Sequence, residues 1–343
     1  MKSVRFSTVR LILAYLLIGV SLWGAEPPNY YQNAAGLTGA ALRTALNTII
    51  KTGHSPVTYD EARYALAATD QDPADSNRLI LIYSGESKHA NNDWINNNSA
   101  DGWNREHLWP NSLGIDGNSR AYPDLFNLRP CDEQVNGDRA NLVFDESSPG
   151  TTGYQKSAHA EATNCTQDSD SWEPPSSMKG DIARSLFYMD VRYEGASNEP
   201  DLELTDNLNL IHNNAAYMGR LSTLLVWHFL DPVDSKERLR NDRVQAEQGN
   251  RNPFIDHPEW VEAIFGPVFQ ITLQRAGANV QLRWPAQIQD TMSLIEMSSS
   301  LSPNASWTKL TGTPSLDGIW RLRTLPLSSK VRFYRLKLTD ING

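Results

Sequence analysis

Two hydrophobic periods divide the chain. Leu37, Ala41, Leu42, Ala45, Leu46, Ile49 and Ile50 recur at helical spacing and Gly53 follows as a stop, which predicts a helix. The apolar run over 79–83 predicts a short strand ending at Ser84 and Gly85. The Asn-, Asp-, Ser- and Gly-rich stretch over 86–104 predicts a polar surface loop. Helical spacing returns over 178–193, where Ile182, Leu186 and Met189 share a face, and the apolar segment 221–230 predicts a buried helix. Residues 235–248 predict a charged helix closed by Gly249. Its Arg238, Arg240 and Arg243 lie among acids, so a solvated face is the first reading and a phosphate-facing one the second.

Beyond Phe265 the period becomes two. Phe269, Ile271 and Leu273 alternate with polar residues, as do Val280, Leu282 and Trp284, then Ile295 and Met297, then Trp320 and Leu322. Gly, Pro, Ser and Asn separate these segments, a pattern that predicts a small antiparallel β-sandwich. The expectation is an α+β protein: a mixed α/β body over 26–265 and an all-β, sandwich-like accessory domain over 266–343.

Composition changes this picture little. Hydrophobic residues make up 40% of 343 and charged residues 21%, ordinary for a globular protein able to bury a full core. The first residues add more: Lys2, Arg5 and Arg10 lead into an apolar run that ends at Trp23, the layout of an export signal over 1–25 and too short to span a bilayer comfortably. A secreted protein, periplasmic or extracellular, without stable membrane association is expected. Cys131 and Cys165 permit one disulfide in such a compartment, and two free thiols fit equally. The formal charge is −9, or −12 by the same count without the three basic residues of the signal. That balance excludes a stable nucleic-acid binder of the repressor kind, which would show a basic footprint. A polyanionic substrate would have to be held transiently, by a local cleft and a bound cation.

Candidate chemistry is concentrated between Trp103 and Phe144. Asn104-Arg105-Glu106-His107-Leu108-Trp109-Pro110 is followed by Asp124-Leu125-Phe126-Asn127-Leu128-Arg129-Pro130 and by Val135-Asn136-Gly137-Asp138-Arg139. A Glu–His pair alone is most often surface decoration. Its order with a Pro three residues later, an Asn-Leu before another Pro, and an Asn nine residues further on resembles the HNH pattern of ββα-metal nucleases. There the His is the base, the middle Asn braces the loop and the last Asn binds metal, roles that fall on His107, Asn127 and Asn136.

Further segments sharpen the resemblance to one family. Tyr30-Tyr31, Leu81-Ile82-Tyr83-Ser84-Gly85, Lys179-Gly180-Asp181-Ile182-Ala183-Arg184, Met189-Asp190-Val191-Arg192-Tyr193 and Gln248-Gly249-Asn250-Arg251-Asn252-Pro253 join the Glu–His motif, and together they resemble the endonuclease I and extracellular ribonuclease family over nearly all of 29–265. The resemblance implies a mixed α/β body around a ββα-metal motif and non-specific cleavage of DNA, RNA or both. It assigns Glu106 and Asn136 as metal ligands and His107 as general base. One departure is Phe126, where a His often precedes the Asn-Leu pair. The residue types suit the chemistry: a neutral imidazole activates water, and a hard cation such as Mg²⁺, Mn²⁺ or Ca²⁺ needs few protein oxygens. Arg105 and Arg129 are the favoured phosphate contacts because their neighbours are assigned to the site. The competing reading is a secreted binding protein with an inactive nuclease-like body and a surface- or glycan-binding C-terminal module.

Alternation along a strand sets one geometric expectation. For adjacent Glu106 and His107 to serve one site, the strand is expected to become irregular at Glu106, with Asn136 on the helix after the second strand.

Overall fold

The computed structural model describes residues 26–93, 102–196, 199–266, 272–285, 293–300, 302, 305–317, 320–328 and 332–338. The export-signal expectation over 1–25 lies outside these residues, as do Phe269 and Ile271. The fold is a mixed α/β body with several small sheets.

In chain order the body contains α1 (Gly39–Lys51), α2 (Ala62–Thr69), β1 (Gln71–Asp72), β2 (Asp75–Ile80), β3 (Ser87–His89), β4 (Trp103–His107), β5 (Leu128–Asp132) and α3 (Glu133–Arg139). The short strands β6 (Val143–Phe144), β7 (Thr166–Gln167) and β8 (Ser171–Glu173) form one sheet in the order β6-β8-β7. Then come α4 (Lys179–Arg192), the parallel pair β9 (Glu203–Leu204) and β10 (Tyr217–Met218), α5 (Leu221–Leu230), α6 (Ser235–Gln248), α7 (Pro253–Asp256) and α8 (Trp260–Phe265). Among the described residues no helix is long and apolar enough to cross a membrane.

Helix α4 is the centre of the body. Its residues from Ile182 to Arg192 are all buried, including Arg184 and Arg192. Two guanidiniums inside a core require carboxylates: Arg184 reaches Glu237 at 2.6 Å and Arg192 reaches Glu199 at 2.8 Å. Helix α1 lays Leu42, Leu46 and Ile50 into the same core, the stripe its spacing predicts. Asn47 of α1 donates to the carbonyls of Val191 and Arg192, which fixes the two helices in register.

Three expectations are corrected. The strand predicted over 79–83 lies at Asp75–Ile80, and Leu81, Ile82 and Tyr83 form a buried turn in which Ile82 N–H donates to the Pro130 carbonyl. An apolar run signals burial but does not distinguish a strand from a turn packed on all sides. The stretch over 86–104 is not loop throughout, since β3 pairs with β2 within it. Helix α6 is not a solvated face: Glu237, Arg240, Asn241, Val244 and Gln248 are buried, with Arg240 bonded to Asp70 and to the carbonyls of Leu125 and Leu128. Cys131 and Cys165 are buried, unpaired thiols.

After Gly266 every secondary-structure element of the described residues is a strand. Strands β11 (Thr272–Ala276), β12 (Asn279–Pro285), β15 (Ser315–Asp317) and β16 (Trp320–Pro326) form an antiparallel sheet in the order β11-β12-β16-β15. Strands β13 (Ser293–Ser298), β14 (Thr308–Lys309) and β17 (Phe333–Leu338) form a second in the order β14-β13-β17. Leu282, Trp284 and Ile295, three of the alternating positions, are buried.

Candidate active site

Strands β4 and β5 form a two-stranded antiparallel hairpin, and α3 starts at the next residue. The register pairs Trp103 with Asp132, Asn104 with Cys131, Arg105 with Pro130, Glu106 with Arg129 and His107 with Leu128, without a shift. Asp132 ends the hairpin and starts the helix. Its carboxylate accepts from the backbone N–H groups of Gln134 and Val135, the N-cap arrangement that satisfies two orphan donors. Asn136 lies on this helix, where the sequence put it.

The irregularity expected at Glu106 is absent. The ladder stays regular through His107, so neighbouring side chains keep opposite faces. Asn104 and Glu106 face α3: Asn136 Nδ2 donates to Asn104 Oδ1 at 2.6 Å, and Arg139 lies 3.3 Å from Glu106 Oε1. Arg105 and His107 face the other way, toward Tyr59. The Tyr59 ring stacks on His107 with centroids 5.6 Å apart, and the Arg105 guanidinium covers the same ring at 3.8 Å. The strand ends directly after His107. There the Asn127 side chain takes over, accepting from Trp109 N–H at 2.7 Å and donating to the Trp109 carbonyl at 3.1 Å.

Asn127 is itself held by a buried polar network. Asp124 accepts from the hydroxyls of Tyr188 and Tyr193 and from the amide of Gln248, while Gln248 Oε1 accepts from Leu125 N–H. The Gln-Gly-Asn segment at 248–250 therefore acts structurally, fastening the loop that leads into β5. Gly249 is required there: its φ is +86°, and a Cβ would come within 2.4 Å of the Gly53 carbonyl.

Each site side chain has a defined electrostatic setting. Glu106 is 2% exposed; burial raises its pKa, opposed by Arg139 and by Tyr83, whose hydroxyl donates to Oε1 at 2.6 Å. Burial pushes the half-buried His107 imidazole down to about 4, opposed by its bond to the Tyr122 carbonyl and reinforced by Arg105 and Arg139. His107 Nε2 lies 2.9 Å from that carbonyl. A carbonyl only accepts, so Nε2 carries the hydrogen and Nδ1 is the basic nitrogen of the neutral ring.

The two favoured arginines are both engaged. Arg105 donates to the Tyr59 carbonyl at 2.5 Å as well as covering its ring. Arg129 is 7% exposed and sits 3.2 Å from Asp70 and 3.9 Å from Asp181. Arg139, which stood in the motif without being preferred, touches Glu106 directly. Tyr83, Tyr59 and Tyr122 were missed as neighbours of the pair. They lie 15 to 48 residues from it, a separation that leaves no spacing signal.

The donors suit a hard cation. Asn136 spends its Nδ2 on Asn104, which leaves Oδ1 as the atom that could meet a cation, and Oε2 of Glu106 is the oxygen that neither Tyr83 nor Arg139 holds. Among the described residues no group of three His, Cys, Asp or Glu is placed to hold a metal ion. Softer, ligand-rich zinc coordination does not match such a set, whereas an ion that keeps several waters does.

The Endonuclease I family model matches residues 38–259, spanning the hairpin, α3 and the network that fastens them. The chain belongs to the Endonuclease I family. It is similar to the extracellular ribonuclease of Bacillus amyloliquefaciens, 47% identical over 70% of this chain and 79% of that protein. Identity to the extracellular ribonuclease of Bacillus subtilis (strain 168) is 45%, over 70% of this chain and 80% of the relative. An extracellular deoxyribonuclease of Aeromonas hydrophila is 30% identical over 40% of this chain and 50% of its own length. In this Endonuclease I member the alignable part is the body, and the strands after residue 266 lie beyond the family match.

Proposed function

We propose that this Endonuclease I member is a secreted, metal-dependent endonuclease that hydrolyses phosphodiester bonds of DNA, RNA or both without sequence specificity. Membership of the family and the secreted nucleases among its relatives support the activity and the location. The strand–strand–helix order of β4, β5 and α3 supports reading this segment as a ββα-metal motif. The family match at 38–259 and the strands described between 272 and 338 support a nuclease domain over 26–265 and a β-sandwich module over 266–343, and the extracellular relatives support an export signal over 1–25.

In this reading His107 is the general base. The observation that carries it is the bond from Nε2–H to the Tyr122 carbonyl, which leaves Nδ1 free to take a proton from water, with the ring held by Tyr59 and Tyr122. Glu106 and Asn136 would hold a divalent cation, Mg²⁺ or another hard ion. When bound, it neutralises charge developing on the phosphate and the leaving oxygen. Asn127 keeps the turn after His107 rigid. Arg139 fixes the Glu106 carboxylate and the backbone of His107 and Leu108. Arg105, with one face on Tyr59, is better placed than the ion-paired Arg129 to meet a phosphate.

The test is hydrolysis of single-stranded RNA and supercoiled plasmid with Mg²⁺, with Glu106→Gln and Asn136→Ala beside the wild type. Both variants should demand far more Mg²⁺ for half-maximal rate. Unchanged Mg²⁺ dependence in both would overturn the ligand assignment.

A further inference from the structure

Charge is distributed unevenly along the chain. Residues 26–265 hold 19 Lys and Arg against 36 Asp and Glu, a net −17, whereas residues 266–343 hold nine against four, a net +5. Six arginines of the body, Arg129, Arg139, Arg184, Arg192, Arg240 and Arg251, are buried beside carboxylates and are not available to phosphates. A polynucleotide approaching this body meets net repulsion, which salt screens over about 8 Å without reversing its sign.

The strands after residue 266 present the opposite field. Arg275, Lys309, Arg332 and Arg335 are exposed. Lys309 and Arg335 flank Glu296 in register across β14-β13-β17, two cations against one acid in a single row. The Arg335 guanidinium pairs with Glu296 at 2.6 Å and also covers the indole of Trp307 at 4.2 Å, while Arg275, Lys309 and Arg332 are the cations left for phosphates. Exposed cations among the same strands as an aromatic ring are what a single strand requires, the former for phosphates and the latter for stacking a base.

We propose that the described strands after residue 266 form a nucleic-acid-binding element that captures single-stranded polynucleotide for the acidic nuclease body. The assignment rests on the nuclease reading for the identity of its ligand. It gives the region a task for which the body's net charge is unsuited, a local attraction for the polyanion that the active site must turn over.

The test uses the full-length protein and a fluorescent oligouridylate in chelator, so that binding is read without turnover and does not depend on whether the active site is assigned correctly. The variant is Arg275→Glu/Lys309→Glu/Arg332→Glu, three exposed positions. Its expected affinity is weaker by about tenfold or more at low salt, with a shallower salt dependence by about two on a log–log scale, three lost phosphate contacts at roughly 0.7 each. Trp307→Ala should weaken RNA binding but not heparin binding. Cleavage of a tetranucleotide with Mg²⁺ should be unchanged in the triple variant. Equal affinity and salt slope for wild type and triple variant would overturn the proposal, as would tighter wild-type binding to heparin than to RNA.

Discussion

Arg139 lies 3.3 Å from the Glu106 carboxylate and donates through the same guanidinium to the carbonyls of His107 and Leu108, at 2.9 and 2.8 Å. One buried side chain thus fixes both members of the Glu–His pair from a helix more than 30 residues later in the chain. Arg139→Met should leave a buried carboxylate without its counter-charge and two carbonyls without a donor. The expected cost is about 3–5 kcal/mol, read as a lower urea midpoint. An unchanged midpoint would mean that water replaces the guanidinium.

The Tyr83 hydroxyl orients the Glu106 carboxylate without itself being placed to bind a cation. Tyr83→Phe should therefore raise the Mg²⁺ concentration for half-maximal activity by about 10–100-fold. The rate at saturating Mg²⁺ should recover most of the wild-type value. A loss that no Mg²⁺ concentration restores would assign Tyr83 a different part.

What the sequence disclosed and what it withheld have distinct causes. Residues adjacent in the chain, Glu106 and His107, and residues one short element apart, Asn127 and Asn136, carry local spacing that survives folding. The long helices over 39–51, 179–192 and 221–230 were legible because their apolar stripes are continuous. Tyr83, Tyr122 and Arg139 were not, because their roles exist only once the hairpin packs against a buried turn and a helix. The irregular strand end failed for a related reason. Termination after His107 depends on the Asn127 side chain closing on Trp109, a contact across 18 residues that periodicity cannot express. Helix α6 misled because a charge-rich sequence normally signals solvent, whereas Arg240 and Glu237 are buried as partners of Asp70 and Arg184.

Asn127 is fully buried and pairs with both backbone groups of Trp109. Asn127→Ala leaves an N–H and a carbonyl unmatched, each costing about 1–3 kcal/mol. Stability and kcat should both fall, the latter because the turn no longer holds His107 in place. Asn127→Asp, which keeps the acceptor for Trp109 N–H, should lose less stability than the alanine variant in the same thermal melt.

Burial lowers the His54 pKa from 6.5 to about 4, opposed by Asp124 and reinforced by Arg192 and Arg120. Its Nδ1 accepts from Arg192, which requires the neutral ring. The unfolded chain takes up a proton between these two values and the folded chain does not, so stability is present above pH 6.5 and declines as pH falls toward 4. His54→Gln removes the titration but keeps an acceptor for Arg192. Its deficit relative to wild type should narrow by about 2 kcal/mol between pH 7 and pH 5, from about 1.36 kcal/mol per unit. Folding free energies at the two pH values read this directly. A deficit that widened would mean His54 is charged in the fold and paired with Asp124.

The role proposed for His107, whose ring is held by the Tyr122 carbonyl, is to activate the attacking water while Glu106 and Asn136 hold a cation. Its most direct test is single-turnover cleavage of single-stranded RNA by wild type and His107→Ala, with saturating Mg²⁺ and with chelator. The expected result is a rate lower by about 10²–10⁴-fold in the variant, partial rescue by added imidazole, and no cleavage by either protein in chelator. A variant that cleaves at the wild-type rate, or a wild type indifferent to chelator, would contradict it.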